Sequence, residues 1–139
     1  MKGLFLTVVG ALAVAAPAHA SNLTVHLDGV RGTGGTLFVS VQTRAEFMQE
    51  RGTAGSVLSS PQSGAHQFSF AVPAGEYAVS VWHDDNGNGR FDKDDRHMPL
   101  DGWALTNSEG LRGEPNFDQV RMQIGEAPSS VRLSMAYGR

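Results

Sequence analysis

The stretch from residue 68 to residue 81 reads FSFAVPAGEYAVSV and contains two runs in which every second residue is apolar. A period of two is typical of a half-buried strand, because successive side chains of a strand point to opposite faces of the sheet. Between the runs, Pro73, Ala74 and Gly75 are typical of a tight turn. The stretch therefore predicts two neighbouring strands joined as a hairpin. The apolar positions are Phe68, Phe70 and Val72 in the first run and Tyr77, Val79 and Val81 in the second.

The same alternation recurs on both sides of this stretch. It is found at residues 23–27, 37–41, 120–124 and 131–135, between segments rich in Gly, Pro and Asn. Six short strands separated by turn residues predict an all-β fold, here a single antiparallel β-sandwich. The glycine-rich segment 31–35 is interpreted as a further hairpin connection. A phosphate-binding loop is disfavoured, because no helical period follows it.

Two other segments depart from the strand pattern. Thr43 and Glu46 fit the capping box of one short helical turn, which Phe47 would pin onto the sheet. A long connection covers residues 96–116, which carry several Gly and Pro residues and no regular period. Long connections of this kind are uncommon in compact domains and are often functional.

The N-terminal segment has the pattern of a secretory signal peptide. Lys2 is followed by an uncharged run over residues 3–16, then by Pro17 and the small-residue site at residues 18–20. A membrane anchor is the alternative, but a spanning helix needs about 20 apolar residues. We therefore expect residues 1–20 to be cleaved and residues 21–139 to form one domain in the periplasm or the medium. No other segment of the sequence is apolar enough to predict a membrane span.

The composition excludes several classes of protein. The chain has 139 residues, with 14 Asp and Glu against 11 Lys and Arg, and no cysteine. Without cysteine there can be no disulfide framework, thiol nucleophile or iron–sulfur site. The slight acidity argues against a partner that is a nucleic acid. The motifs of zinc hydrolases and serine hydrolases are absent, which favours a non-catalytic protein.

One loop, residues 84–95, carries a recognisable chemical pattern. It reads DDNGNGRFDKDD and matches the twelve-residue spacing of an EF-hand calcium loop, with Gly89 at the sixth position, where the backbone turns sharply. Calcium prefers six to eight oxygen ligands, and alternate side chains of a tight loop point inward. The predicted metal ligands, at loop positions 1, 3, 5, 7, 9 and 12, are Asp84, Asn86, Asn88, Arg90 through its carbonyl, Asp92 and Asp95.

The loop also departs from the EF-hand pattern. Position 12 is Asp95 where the pattern has Glu, and a strand rather than a helix leads into the loop. With two neutral Asn ligands, we expect weak Ca²⁺ binding, with a dissociation constant of about 10⁻⁴ to 10⁻³ M. The alternative is a solvated Asn-Gly turn without an ion, because such pairs form turns by themselves.

Residues 79–89, VSVWHDDNGNG, resemble the signature of the bacterial domain of unknown function 2141. Other stretches are also similar to that family: the early strand with the turn AEF at residues 45–47, the approach PAGEY at 73–77, GWALTN at 102–107 and GEPNFD at 113–118. The resemblance implies a secreted or periplasmic β-sandwich and no assigned activity. The PAGEY strand is also similar to transthyretin-like modules, so the expected sandwich is immunoglobulin-like or transthyretin-like.

The sequence is compatible with three kinds of function. The first hypothesis is a binding or structural module stabilised by Ca²⁺. An alternative is a small periplasmic enzyme or transition-metal protein that uses His83, with His97 and nearby acids. A third is an ion-free structural protein of the envelope. Trp82 and Trp103 are either covered by the long connection or form an aromatic platform for a peptide or a carbohydrate.

Overall fold

A computed structural model describes residues 21–138. The predicted signal peptide, residues 1–20, lies outside this range. The described residues form eight strands and one short helix. In chain order these are β1 (Leu23–Val30), β2 (Thr36–Gln42), β3 (Ala54–Ser59), β4 (Gly64–Phe70), β5 (Gly75–Asp84), β6 (Gly102–Leu105), α1 (Phe117–Val120), β7 (Met122–Ile124) and β8 (Ser129–Ser134). No helix among these residues is long and apolar enough to span a membrane.

The strands form two sheets, which confirms the all-β class. One sheet has three strands in the order β4-β1-β8. The other has the order β3-β2-β5-β6, and β7 also pairs with β5. Side chains from both sheets build one buried core, because the alternation of each strand turns its apolar face inward. Its fully buried members include Leu23, Val25, Leu27, Leu37, Val41, Val79 and Ile124.

The expectation of a purely antiparallel sandwich is wrong at one pair of strands. β1 and β8 run parallel, with Leu23 opposite Ser129 and Asp28 opposite Ser134. A parallel pair needs a long crossover connection rather than a tight turn. β1 and β8 meet this condition because they are the first and last strands of the described chain.

Both predicted hairpins are wrong for a common reason. β4 and β5 lie in different sheets, and so do β1 and β2, so the connections at residues 71–74 and 31–35 pass between sheets. At the first connection the Asn22 side chain donates to the Val72 carbonyl at 2.7 Å and accepts from the Val72 N–H at 2.8 Å. A side chain thus satisfies the backbone groups of Val72 as the chain leaves β4. Alternation defines the two faces of a strand but does not define its neighbour.

A second apolar cluster covers part of the outer face of the five-stranded sheet. Its buried members are Ala78, Leu105, Phe117 and Val120, and Phe47, Trp103 and Leu111 pack against them. Val120 was expected in a strand but ends α1, which begins after a capping box formed by Asn116 and Gln119. The predicted helical turn is found as a turn at residues 43–48 and not as a helix, and it forms one half of the capping box, in which the Glu46 carboxylate accepts from the Thr43 N–H at 3.0 Å.

Candidate cation-binding site

The strand β5 leads directly into the acidic loop, residues 84–95. Asp84 is its last residue and pairs with Thr36 of β2. Gly35, directly before β2, has a φ of +71°, and a Cβ there would collide with the carbonyl oxygen of Asp84. The position therefore requires glycine, because only glycine combines a positive φ with such close backbone approach. This contact fixes the start of the loop against the neighbouring strand.

Asp84 holds the loop in a closed turn. Its side chain is 5% exposed, and Oδ2 accepts a hydrogen bond from the Gly89 N–H at 2.8 Å. Gly89 has a φ of +73°, as the sixth position of the pattern predicts. The other oxygen, Asp84 Oδ1, is buried and has no hydrogen-bond partner among the described residues. A buried carboxylate oxygen without a partner is costly, since it loses its hydration without compensation.

Asn86, Asn88 and Asp92 converge on each other. Both Asn amide groups donate to the Asp92 carboxylate, at 2.8 Å from Asn86 and at 2.9 and 2.8 Å from Asn88. Asn86 Oδ1 accepts the Asn88 N–H, and Asn88 Oδ1 accepts the Arg90 N–H at 2.9 Å. The side chains at loop positions 3, 5 and 9 thus share one small polar centre.

The other two predicted ligands, Arg90 and Asp95, contribute no side chain to the hydrogen bonds of that centre. Arg90 and Asp95 are exposed, and Asp95 forms no hydrogen bond or ion pair within the described part of the chain. Asp94 shapes the end of the loop instead, since Oδ1 accepts the Met98 and Arg96 N–H groups at 2.9 and 2.8 Å. These bonds hold the pKa of Asp94 below its ordinary range, and the bond from the Met98 N–H has the largest effect.

Sequence reasoning missed one acidic residue of this region. Asp101, just before β6, is fully buried, and Oδ2 accepts from Trp82 Nε1 at 2.9 Å and from the Asp92 N–H at 3.3 Å. It lies six residues beyond the twelve-residue pattern, so no spacing pointed to it. The only available signal was Trp82, whose indole N–H needs an acceptor when it is covered.

The charge and type of these donors limit which ion could bind. Among residues 21–138, no three His, Asp or Glu side chains form a group that could hold a metal ion. A cation here would be coordinated by few carboxylates, together with amide and backbone oxygens. Such hard oxygen ligands suit Ca²⁺ or Mg²⁺ rather than Zn²⁺ or Cu²⁺.

His83 does not belong to this polar centre. It is fully buried, with Nε2 at 2.7 Å from the Gly34 carbonyl and Nδ1 at 2.7 Å from the Tyr137 hydroxyl. A carbonyl only accepts, so Nε2 carries the hydrogen and Nδ1 accepts from Tyr137. Burial raises the pKa of Tyr137, which keeps its hydroxyl a donor. Both ring nitrogens are thus occupied, and the exposed His97 provides no second metal ligand in the same group.

Trp82 is covered mainly by two phenylalanines. It stacks on Phe38 with ring centroids 5.0 Å apart, and Phe91 of the acidic loop meets it edge-on at 6.3 Å. Trp82 also pairs across strands with Trp103, which packs on the outer apolar cluster. Val57, opposite Phe38, is 66% exposed and continues the row to the edge of the sheet. An aromatic platform for a peptide or a carbohydrate stays a prediction.

The fold and the site define a small two-sheet β domain with an acidic, asparagine-rich loop at the end of its longest described strand. The chain belongs to the family described as an uncharacterized protein conserved in bacteria (DUF2141), which matches residues 25–132. The match includes the whole loop and confirms the resemblance drawn from the sequence. No curated protein and no solved structure matches the chain.

Proposed function

We propose that this protein is a non-catalytic β-sandwich module that binds one Ca²⁺ ion at the loop 84–95 and has a binding or structural role. The observation that carries the proposal is the Asp84 carboxylate, which is 5% exposed and has one oxygen without a hydrogen-bond partner. A cation is the natural partner for a buried anionic oxygen, because it restores the interaction lost with water.

The neighbouring side chains support an oxygen-ligated ion. Asn86, Asn88 and Asp92 already meet through N–H···O bonds of 2.8 to 2.9 Å. A bound Ca²⁺ would take the amide and carboxylate oxygens of these residues in place of those bonds. The Arg90 carbonyl and Asp95 would complete the twelve-residue spacing. Few carboxylates and two neutral amides correspond to weak binding, as in extracellular calcium modules.

The proposal includes export from the cytoplasm. The support is the N-terminal sequence, with its single Lys, its uncharged run and its small residues at 18–20. The exported domain would comprise residues 21–139 in the periplasm or the medium, with an immunoglobulin-like or transthyretin-like sandwich. Mass spectrometry of the protein recovered from cells tests this part: cleavage makes Ser21 the first residue, and an intact Met1 contradicts it.

Calcium binding is tested by thermal melts and by calorimetric titration of the purified protein, in EDTA and after addition of Ca²⁺. At a Ca²⁺ concentration ten times the dissociation constant, binding stabilises the fold by about 1.4 kcal/mol. We expect D84N to lose this Ca²⁺-dependent rise in Tm, because it removes the charge of the buried carboxylate.

The matched control is E109Q, which removes one negative charge from an exposed residue outside the loop. It is expected to keep the full Ca²⁺ response. The absence of both a heat signal and a Tm shift for the wild-type protein at millimolar Ca²⁺ would contradict the proposal. An equal Ca²⁺ response in D84N would contradict the assignment to this loop.

A further inference from the structure

We infer that Asp101, outside the twelve-residue loop, is the second buried carboxylate of the cation site and takes the closing role that the spacing gives to Asp95. This inference rests on the proposed function, since it concerns how the same loop holds its ion. It adds the residue directly before β6 to a site that the sequence pattern places entirely on one loop.

Asp84 and Asp101 lie on the same side of the five-stranded sheet. β5 and β6 pair with Trp82 opposite Trp103 and with His83 opposite Gly102, which brings Asp101, directly before β6, beside the end of β5. The hydrogen bond from Trp82 Nε1 to Asp101 Oδ2 puts Asp101 on the face of Trp82. Asp84, two residues after Trp82 in the same strand, faces the same way.

Both carboxylates accept hydrogen bonds from the backbone of the same loop. Asp84 Oδ2 accepts the N–H of Gly89, and Asp101 Oδ2 accepts the N–H of Asp92. Asp92 is in turn the residue on which Asn86 and Asn88 converge. Asp101 therefore lies directly behind the polar centre, whereas Asp95 is exposed in the following turn.

Burial adds an electrostatic reason for a cation near these two carboxylates. Asp101 is fully buried and Asp84 nearly so, and two like charges held against the same loop in a buried place repel each other. Asp84 Oδ1 also lacks a hydrogen-bond partner. A divalent cation near the pair would neutralise the repulsion and satisfy that oxygen, which an exposed Asp95 cannot do as effectively.

The experiment compares Ca²⁺ binding of the wild-type protein, D101N and D95N by calorimetry. Both variants remove one negative charge and keep the size of the side chain, so each is the matched control of the other. We expect D101N to weaken Ca²⁺ binding at least tenfold and D95N to change it less than twofold. Unchanged binding in D101N, or loss of binding in D95N alone, would overturn the inference.

A second measurement does not depend on the folding of D101N. The chain has two tryptophans, so the ¹H–¹⁵N spectrum of the native protein shows two indole N–H signals, which W103F assigns. Because Trp82 donates to Asp101, we expect Ca²⁺ to shift the Trp82 signal more than the Trp103 signal. A Trp82 signal that stays fixed at saturating Ca²⁺ would overturn the inference while the proposed function stands. A wild-type protein that binds no Ca²⁺ would overturn both.

Discussion

At the scale of single residues, His83 is instructive because its sequence position and its environment point in different directions. It directly precedes the acidic loop, which suggests a metal ligand or a base. Its side chain, however, faces the core with Val79 and Val81, because it shares their phase along β5. There it connects the Gly34 carbonyl to the Tyr137 hydroxyl. His83 therefore joins three distant segments of the chain rather than serving the loop.

Replacement of His83 by Phe tests this structural role. H83F removes the donor to the half-buried Gly34 carbonyl and the acceptor of the Tyr137 O–H, which then keeps only the bond from the Arg31 N–H at 3.0 Å, so we expect a loss of about 1–3 kcal/mol. Urea unfolding should show this loss as a lower free energy of unfolding than that of the wild-type protein. The control is H97N, since His97 is exposed with a positive φ that Asn tolerates. A stability of H83F equal to that of H97N would be incompatible with this role.

At the scale of elements, the turn at residues 43–48 is held by one carboxylate. Glu46 Oε1 accepts from the Thr43 N–H, the Thr43 hydroxyl and the Thr53 hydroxyl, at 2.8 to 3.0 Å. These bonds lower the pKa of Glu46, and the bond from the Thr43 N–H has the largest effect. The buried Gln42 completes the turn by donating to the carbonyls of Glu46, Gln49 and Arg51.

The lowered pKa of Glu46 predicts a pH dependence of stability. The folded state holds Glu46 ionised at a pH where the unfolded chain, with its ordinary pKa of about 4.3, already binds a proton. This contribution is present above that pH and is lost as the pH falls through the lower folded pKa. When unfolding is measured at about pH 6 and about pH 3, the free energy of unfolding should therefore decrease less for E46Q than for the wild-type protein. Equal losses would show that the carboxylate does not act in this way.

The elements also show how much of the fold can be predicted from the sequence. Alternation defined the buried faces of β1, β2, β4, β5 and β8, because each has one face against the core. It failed for β6, which is covered on both faces: Ala104 packs in the core and Leu105 in the outer cluster. A strand buried on both sides has no period of two, so it was merged into the long connection.

The candidate site likewise has residues that can be predicted from the sequence and one that cannot. Asp84, Asn86, Asn88 and Asp92 could be recognised because their spacing is local and encodes the geometry of a single turn. Asp101 could not, because its place beside the loop depends on the pairing of β5 with β6. Pairing partners are set by tertiary packing, as the two connections that were wrongly interpreted as hairpins also show.

At the scale of the whole molecule, the C-terminal residues connect the two sheets. The chain leaves β8 in the three-stranded sheet, and Ala136 then exchanges two backbone hydrogen bonds, at 2.8 and 2.9 Å, with Trp103 of the other sheet. Tyr137 follows, with its hydroxyl on His83 and the Arg31 guanidinium 4.4 Å above its ring. The last few described residues thus close one end of the sandwich.

Deletion of residues 136–139 tests this closure. The truncated protein loses the two backbone hydrogen bonds to Trp103, the hydroxyl that bonds His83 and the aromatic ring of Tyr137 itself. We therefore expect Tm to fall by about 10–20 °C. Deletion of residues 138–139 only, which spares Ala136 and Tyr137, is the control and should cost a small part of that. Thermal melts that do not distinguish the two deletions would contradict a closing role for this segment.

The parallel pairing of β1 with β8 affects the order in which the protein can fold as it is synthesised. The Asp28–Arg132 hydrogen bond in this pair links residues 104 positions apart, so β1 has only β4 beside it until β8 has been synthesised. Contacts of such large sequence separation form slowly, because the loop-closure entropy must be overcome first. We therefore expect the three-stranded sheet to be completed only after β8, the last strand of the described residues, has been synthesised.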